Sequence, residues 1–366
     1  MRIECLKEKL QLAISSAERV TGKNLTLPIL SCIELKAHSN ILTIRATNLD
    51  LGLEINIPVK ITEEGTVAVP GGVLNSFLSN LANDKNVTLE TKDQNLIVST
   101  SFSSTVIKTF PSDDFPTIPS VEKDKSFIVS GKDFARGLKS VWYSSAVSSM
   151  KPELSSVFIY IDDETMVFAA TDSFRLAEKK IKVKKGKEMP QLLIPFKNVP
   201  EIIKTTDVNN GDIEIFSNKN QLAVSFGGTY LTSRIIDGVF PDYKQIIPKE
   251  SKTEAIILKQ DLINALKISN IFSDKFHQLN VKVTSSLKKL ELKTKNADVG
   301  ESINLIQAAI KGEDIEINFN YKYIADCFQS IDADSVSLQF NGLNRPMVIR
   351  GVSDRSFMYL VMPMNR

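Results

Sequence analysis

Cysteine is nearly absent from this 366-residue chain. Cys5, Cys32 and Cys327 are odd in number and share no close spacing, which argues against a disulfide framework and against a thiolate zinc site and leaves three buried free thiols as the expectation. Histidine is scarcer still. His38 and His277 lie far apart beside apparent strands and read as surface or capping residues rather than as an acid–base pair. Gly71-Gly72 and Gly227-Gly228 are not followed by the lysine and hydroxyl residue of a phosphate loop. The acidic run Asp162, Asp163, Glu164 lacks the spaced ligands of a calcium loop and reads as a solvated hairpin turn. No metal and no cofactor is therefore expected. No apolar run approaches the ~18 residues of a membrane span. The opening stretch MRIECLKEKLQLAISS interleaves charges with apolar positions, unlike a secretory signal, so the expectation is a cytoplasmic chain with no membrane partner.

Charge of one sign is missing too. The chain carries 45 basic and 43 acidic side chains. Residues 1 to 120 hold 11 basic and 13 acidic groups, 121 to 248 hold 18 and 16, and 249 to 366 hold 16 and 14. No third is a basic or acidic tail, so any nucleic-acid partner has to be argued from where the charges sit.

What the chain does contain is repetition. ATDSFRLAEKK from Ala170 has two degenerate relatives, ATNLDLGLEIN from Ala46 and TKNADVGESIN from Thr294. Thr47, Thr171 and Thr294 fall 124 and 123 residues apart, a period the size of a small domain rather than of a solenoid repeat. Proline-marked connectors, FPSDDFPTIPS from Phe110 and VFPDYKQIIPK from Val239, divide the chain into three domains: 1–120, 121–248 and 249–366.

Each domain opens on a short strand and an amphipathic helix. Leu6, Leu10, Ala13, Ile14, Ala17 and Val20 share one helical face, as do Phe134, Ala135, Leu138, Val141 and Trp142, and then Leu262, Ala265 and Leu266 before Ile271 and Phe272. Alternating strands follow, with turns at Ser39-Asn40, Asp162-Asp163 and Ser285-Ser286. A second helix comes next, carried by Leu74, Phe77, Leu78 and Leu81, by Val199, Ile202 and Ile203, and by Ile324, Cys327, Phe328 and Ile331. More alternating strands close each domain. The fold class is α+β, with antiparallel sheet and two helices per repeat.

Taken over Leu6 to Val20, Gly71 to Leu81, Lys132 to Tyr143, Phe196 to Thr205, Lys259 to Phe272 and Asn320 to Ile331, the six helices carry 11 basic and 6 acidic groups, +5 in a chain of net +2. Lys132, Arg136, Lys139, Lys197, Lys204 and Lys267 can bring positive charge to phosphates without reading bases. For any one of them a solvated helix face is an equal reading. The run KKIKVKKGK, Lys179 to Lys187, alternates with Ile181 and Val183 and suits the polar face of a strand better than a nucleic-acid patch.

TLPIL at Thr26 to Leu30, ATD-x-FRLA at Ala170 to Ala177, DG-x-FPDY at Asp237 to Tyr243 and VMPM at Val361 to Met364 resemble, in order and over the whole chain, the signatures of the bacterial DNA polymerase III beta subunit family of DNA sliding clamps. The resemblance implies three repeated clamp domains that form a ring as a head-to-tail homodimer, helices inside and sheets outside. Such a ring encircles duplex DNA without sequence preference and tethers the DNA polymerase III catalytic subunit. It is handled by a clamp loader and serves other replication and repair proteins. It implies a processivity factor rather than an enzyme, in the cytoplasm at the nucleoid.

Carried over position by position, the resemblance implies a partner-peptide pocket of Leu154, Thr171, Ser173, Phe174, Arg175, Leu176, Pro241, Ile246, Asn320, Tyr323, Pro346, Leu360, Met362, Pro363 and Met364. Methionine and leucine suit an adaptable apolar floor, and Arg175 with Asn320 can orient a polar peptide group. From the residues alone, Leu154, Leu176 and Leu360 read equally well as ordinary core. The resemblance adds Lys23 and Lys197 as groups that approach DNA, and Ile107 against Ile271 and Phe272 as the dimer contact. The sequence departs from the family at Phe174, where histidine is common, at Gln245, where a basic residue is frequent, and in its ending, Asn365-Arg366.

Two other classes compete with a clamp. An enzyme with its site between repeats would mark one repeat with acid, base or metal residues, and none stands out. A monomeric peptide-binding scaffold would use the pocket without a ring, and mass in solution separates it from the dimer.

Overall fold

The structure is a computed structural model. It describes residues 1–366 except 23–25, 82–84, 124–125, 149, 184, 187–189 and 365–366, and only the backbone of 185–186. The described chain forms two compact units, Met1–Lys132 with Lys184–Pro190 and Pro200–Ile235, and Asp133–Val183 with Gln191–Val199 and Ile236–Arg366.

Six α-helices are present among the described residues: α1 (Lys7–Val20), α2 (Gly71–Asn80), α3 (Gly131–Val141), α4 (Val199–Asp207), α5 (Lys259–Ile271) and α6 (Tyr321–Asp326). Their apolar stripes are the ones the spacing predicts. In α1, Leu10, Ala13, Ile14, Ala17 and Val20 are buried, whereas Leu6 precedes the helix as its N-cap and is exposed. In α3, Phe134, Ala135, Leu138 and Val141 are buried and Trp142 opens a 3-10 turn, Trp142–Ser144. The last helix is shorter than expected. It tightens at Cys327–Ser330 into a 3-10 turn, yet Ile324, Cys327, Phe328 and Ile331 all remain buried, because three- and four-residue spacings keep one side in either geometry. No helix among the described residues is long and apolar enough to cross a membrane.

The strands pair antiparallel throughout the described ladders and make four sheets of five, nine, nine and four strands. The Ser39-Asn40 turn joins Cys32–His38 to Ile41–Thr47 with both residues at positive φ, +51° and +60°, as a two-residue hairpin in a right-twisted sheet requires. Each nine-stranded sheet is continuous within one unit. In the first, Thr229–Arg234 pairs with Leu51–Pro58, from Thr229↔Ile55 to Ser233↔Leu51. In the second, Arg175–Lys182 pairs with Phe357–Val361, from Arg175↔Val361 to Lys179↔Phe357. The five-stranded sheet ends on Ser104–Lys108 and the four-stranded sheet on Gly300–Gln307.

Core packing explains one glycine in mid-helix. A Cβ added to Gly137 in α3 would stand 2.5 Å from the Phe168 ring, which meets Phe134 edge-on at 5.7 Å between centroids. The motif at 237–243 is likewise structural. Phe240 stacks on Phe158 at 4.7 Å, and the Tyr243 hydroxyl donates to Glu178 Oε2 at 2.5 Å while lying 3.0 Å from the Tyr160 hydroxyl. Burial, then the Glu178 charge, pushes the Tyr243 phenol well above its ordinary pKa, so it stays a neutral donor and pins this connector over the sheet.

Candidate functional site

The site is built on a turn that occurs twice in the same form. Asp172 Oδ1 accepts the amides of Phe174 and Arg175, at 2.9 and 3.0 Å, and Thr171 Oγ1 donates to the Arg175 carbonyl at 2.7 Å. Asn48 Oδ1 accepts Asp50 and Leu51, at 3.0 and 2.8 Å, and Thr47 Oγ1 donates to the Leu51 carbonyl at 2.7 Å. Ser173 and Leu49 both take positive φ, +78° and +76°. In the third repeat Asn296 Oδ1 caps Asp298 at 2.9 Å, but Thr294 bonds Ser269 instead. The structural equivalents are thus Asn48, Asp172 and Asn296, a uniform 124 residues apart. The Thr294 correspondence is one residue out of register.

The middle turn differs by one interaction set. Asp172 Oδ2 accepts Arg175 Nε at 2.9 Å, Arg175 Nη1 reaches Asp326 Oδ2 at 2.5 Å, and Nη2 donates to the Tyr143 carbonyl at 2.7 Å. The guanidinium carbon lies 4.6 Å from the Tyr323 ring centre, within cation–π range. With its side chain only 12% exposed, Arg175 is a brace joining the turn to α6 and to the 3-10 turn after α3. Arg175, expected to orient a peptide, has its guanidinium bonded within the chain on Nε, Nη1 and Nη2. Asn320 is similarly occupied, its Oδ1 capping α6 through Lys322 N–H at 2.9 Å.

Around this brace the sequence-predicted residues fall into two groups. Leu154, Thr171, Leu176, Pro346 and Leu360 are buried. Leu176 and Leu360 pair across adjacent strands and share an apolar cluster with Val348 and Phe240, against which Met362 packs. Phe174, Ser173, Pro241 and Ile246 are exposed, and Asn320, Tyr323, Met362, Pro363 and Met364 are half-buried. The tail is stitched down at both ends: Met362 N–H donates to the Phe174 carbonyl and Met364 N–H to that of Asn318, each at 2.8 Å. Leu176 and Leu360 are thus buried beneath this surface, while Phe174 is 61% exposed and Tyr323 and the tail are half-buried.

Lys132, Arg136 and Lys139 lie exposed at helical spacing on α3, away from its buried stripe, with Arg136 held to Asp133 at 2.8 Å. Lys204 is exposed on α4, Lys267 on α5, and Lys197 just before α4. Lys23 falls outside the described residues, as do parts of the run from Lys179 to Lys187. Within that run Lys179 is buried against Asp354 and Ser356, at 3.2 and 2.7 Å.

Ile107, expected at the dimer contact, lies on the covered face of the edge strand Ser104–Lys108. It is 4% exposed, turned into its own sheet's core, and the accessible apolar residue on that edge strand is Val106 at 64%. Ile271 is 65% exposed, and Phe272 packs about the start of the other edge strand, its ring 3.8 Å from a Cβ position on Gly300. Ile303 and Leu305, which the sequence reading does not single out, are both more than half exposed on that strand. The alternation in GESINLIQ was the signal that could have found them. Among the described residues no three His, Cys, Asp or Glu side chains are grouped to hold a metal.

Three family models match consecutive parts of the chain: DNA polymerase III beta subunit, N-terminal domain, over residues 1–119; central domain, over 128–242; and C-terminal domain, over 244–365. Curated proteins called beta sliding clamp are similar over nearly their whole length. That of Synechococcus elongatus is 26% identical over 372 residues, covering 99% of both chains, and that of Staphylococcus epidermidis is 27% identical over 348 residues, covering 92% of both. The solved DNA polymerase III beta subunit of Thermotoga maritima superposes with a TM-score of 0.94 at 24% identity, covering 100% of this chain and 99% of that one. The Bacillus subtilis DNA polymerase sliding clamp gives 0.93 at 21% identity, with the same coverage.

Proposed function

We infer the function from one premise: the chain belongs to the DNA polymerase III beta subunit family. It is a DNA sliding clamp that confers processivity on a replicative polymerase. In our reading it does so without chemistry of its own, as three domains, 1–120, 121–248 and 249–366, that close into a ring by head-to-tail pairing of two copies.

The observation that carries the ring is the count of strands. Both nine-stranded sheets complete themselves inside the chain, whereas sheets of five and four strands end on Ser104–Lys108 and Gly300–Gln307. These edges carry exposed Val106, Ile303 and Leu305, and a bare edge with apolar side chains is a template for another strand. Pairing the five-stranded edge of one copy with the four-stranded edge of another makes a further nine-stranded sheet. Because the two edges differ, the contact is heterologous, and two copies using both edges close. Ile271 and Phe272 then border the joint.

The exposed basic residues Lys132, Arg136, Lys139, Lys197, Lys204 and Lys267, with Lys23, face duplex DNA in this reading. Weak phosphate contacts allow sliding and closure prevents escape. The groove around Phe174, Tyr323 and the Met362–Met364 tail takes peptides of the DNA polymerase III catalytic subunit, the clamp loader and repair proteins, in the cytoplasm at the nucleoid. The test is retention on circular DNA after loading by a clamp loader. Linearising the circle is expected to release the protein, and retention on linear DNA would refute topological tethering.

A further inference from the structure

Phe102 is the most exposed large apolar side chain among the described residues, at 87%. It stands in the hairpin that joins Asn95–Ser99 to Ser104–Lys108, two positions before the edge strand of the five-stranded sheet begins. The turn that presents it is ordered from within. Thr100 N–H donates to the Ser103 carbonyl at 2.8 Å, and Thr100 Oγ1 accepts the amides of Phe102 and Ser103 at 3.3 and 3.1 Å. The flanking strands stay paired up to Ser99↔Ser104. The phenyl ring is therefore held out into water on a tied turn.

We infer that Phe102 is the anchor of the ring joint, seating on the exposed apolar row of Gly300–Gln307 in a second copy of this chain and making closure depend on apolar area rather than on ion pairs. The inference rests on the ring reading above. The composition of the two edges selects this occupant. Ser104, Val106 and Lys108 are the exposed positions of one edge strand, and Glu301, Ile303, Leu305 and Gln307 are the alternate exposed positions of the other. Each row holds a single charge, and Glu301 already lies 3.8 Å from Lys293 of its own sheet. One exposed lysine against one engaged carboxylate offers the joint little.

The apolar side chains offer more, and a phenyl ring buries more area than Val106, Ile303 or Leu305. Aromatic side chains held near a joint are the usual carriers of its binding energy. Chain direction brings the ring to the right place. Antiparallel pairing runs the residues before Ser104 toward the Ile303–Gln307 half of the facing strand, where Ile303 and Leu305 stand exposed. The tied turn also leaves little freedom to lose on association. Salt that screens phosphate contacts should thus leave closure intact.

The experiment is light scattering over a dilution series of the full chain, in about 0.1 M and about 1 M salt. The unaltered protein should pair at least as readily in the higher salt. Phe102→Ser should raise the concentration at which half the chains are paired by about tenfold or more, as expected when a phenyl group is left unburied at each joint. Its circular dichroism should not change, because the ring lies outside the core. Phe102→Leu should recover most of the pairing, since an apolar group again covers the row. Pairing that dissolves in the higher salt, or a Phe102→Ser protein that pairs as before while Val106→Glu pairs less, would overturn the anchor and leave the ring reading standing. If neither substitution altered pairing, the ring joint would lie elsewhere and the anchor would fall with it.

Discussion

Asn48 and Asp172 build the same turn, and the one atom by which they differ decides what each turn is for. Asn48 spends its oxygen on the backbone, whereas Asp172 keeps a second oxygen for Arg175. Asp172→Asn should preserve the turn and weaken the brace, lowering stability by about 1.5–3 kcal/mol, the range for a hydrogen bond to a charged group. Urea unfolding measures the loss, and peptide affinity should fall in parallel because the Phe174 carbonyl that anchors the tail moves with this turn. The sequence marks Arg175 as the exception among the repeats. It cannot reveal that the guanidinium is consumed by Asp326 and the Tyr143 carbonyl, because those partners are 151 and 32 residues away in the chain. A second buried cation makes a pH prediction. Burial alone would raise the Asp354 carboxyl, but the Ser356 hydroxyl and amide and the Lys179 ammonium outweigh it and hold the pKa below the ordinary value. A depressed folded pKa contributes stability above the unfolded-state pKa, and that stability is lost as pH falls through the folded value. Thermal unfolding should thus show an acid-side loss below about pH 4 that Asp354→Asn abolishes. The same substitution should lower stability at neutral pH, because it leaves Lys179 buried without its counter-charge.

At the scale of the element, periodicity carries most of the information. The apolar stripes of α1, α3 and α5 could be read directly, since burial of one helical face needs only local spacing. The end of α6 could not, because a 3-10 continuation buries the same four side chains. Gly137 is a case where local and tertiary rules oppose one another. Alanine at this helical position should gain up to about 1 kcal/mol of helix propensity, yet its methyl would run into the Phe168 ring. Overpacking of a well-filled core costs about 1–3 kcal/mol, so Gly137→Ala should destabilise the protein on balance. A rise in denaturation midpoint would show that the ring gives way easily. The connector at 239–249 was legible as a proline-marked stretch between periodic segments. Its role in pinning Tyr243 to Glu178 was not, since that bond joins residues 65 apart.

For the whole molecule, the decisive quantity is the parity of an edge strand, and parity is what a sequence leaves undetermined. Alternation along Ser104–Lys108 says that Val106 and Ile107 face opposite ways, without saying which faces the core. In the fold Ile107 is buried and Val106 is exposed, and the two positions should respond to substitution in different observables. Ile107→Ala removes packed methyl groups and should cost about 2–5 kcal/mol of stability, as large-to-small core changes do. Val106→Glu should leave the folded chain as stable as before, because the new carboxylate stays in water. If Ser104–Lys108 of one copy pairs with Gly300–Gln307 of another, however, that charge is carried into a joint beside Ile303 and Leu305. The carboxylate stays on the open face of the joined sheet, because side chains stand off the sheet plane, but it replaces the apolar cross-strand contacts of Val106 with Ile303 and Leu305, worth about 0.2–1 kcal/mol each. Light scattering over a dilution series should then show Val106→Glu falling to the mass of one chain at a higher concentration than the unaltered protein. Retention on circular DNA should shorten in step, and a Val106→Glu protein that dimerised and was retained as before would place the ring joint elsewhere.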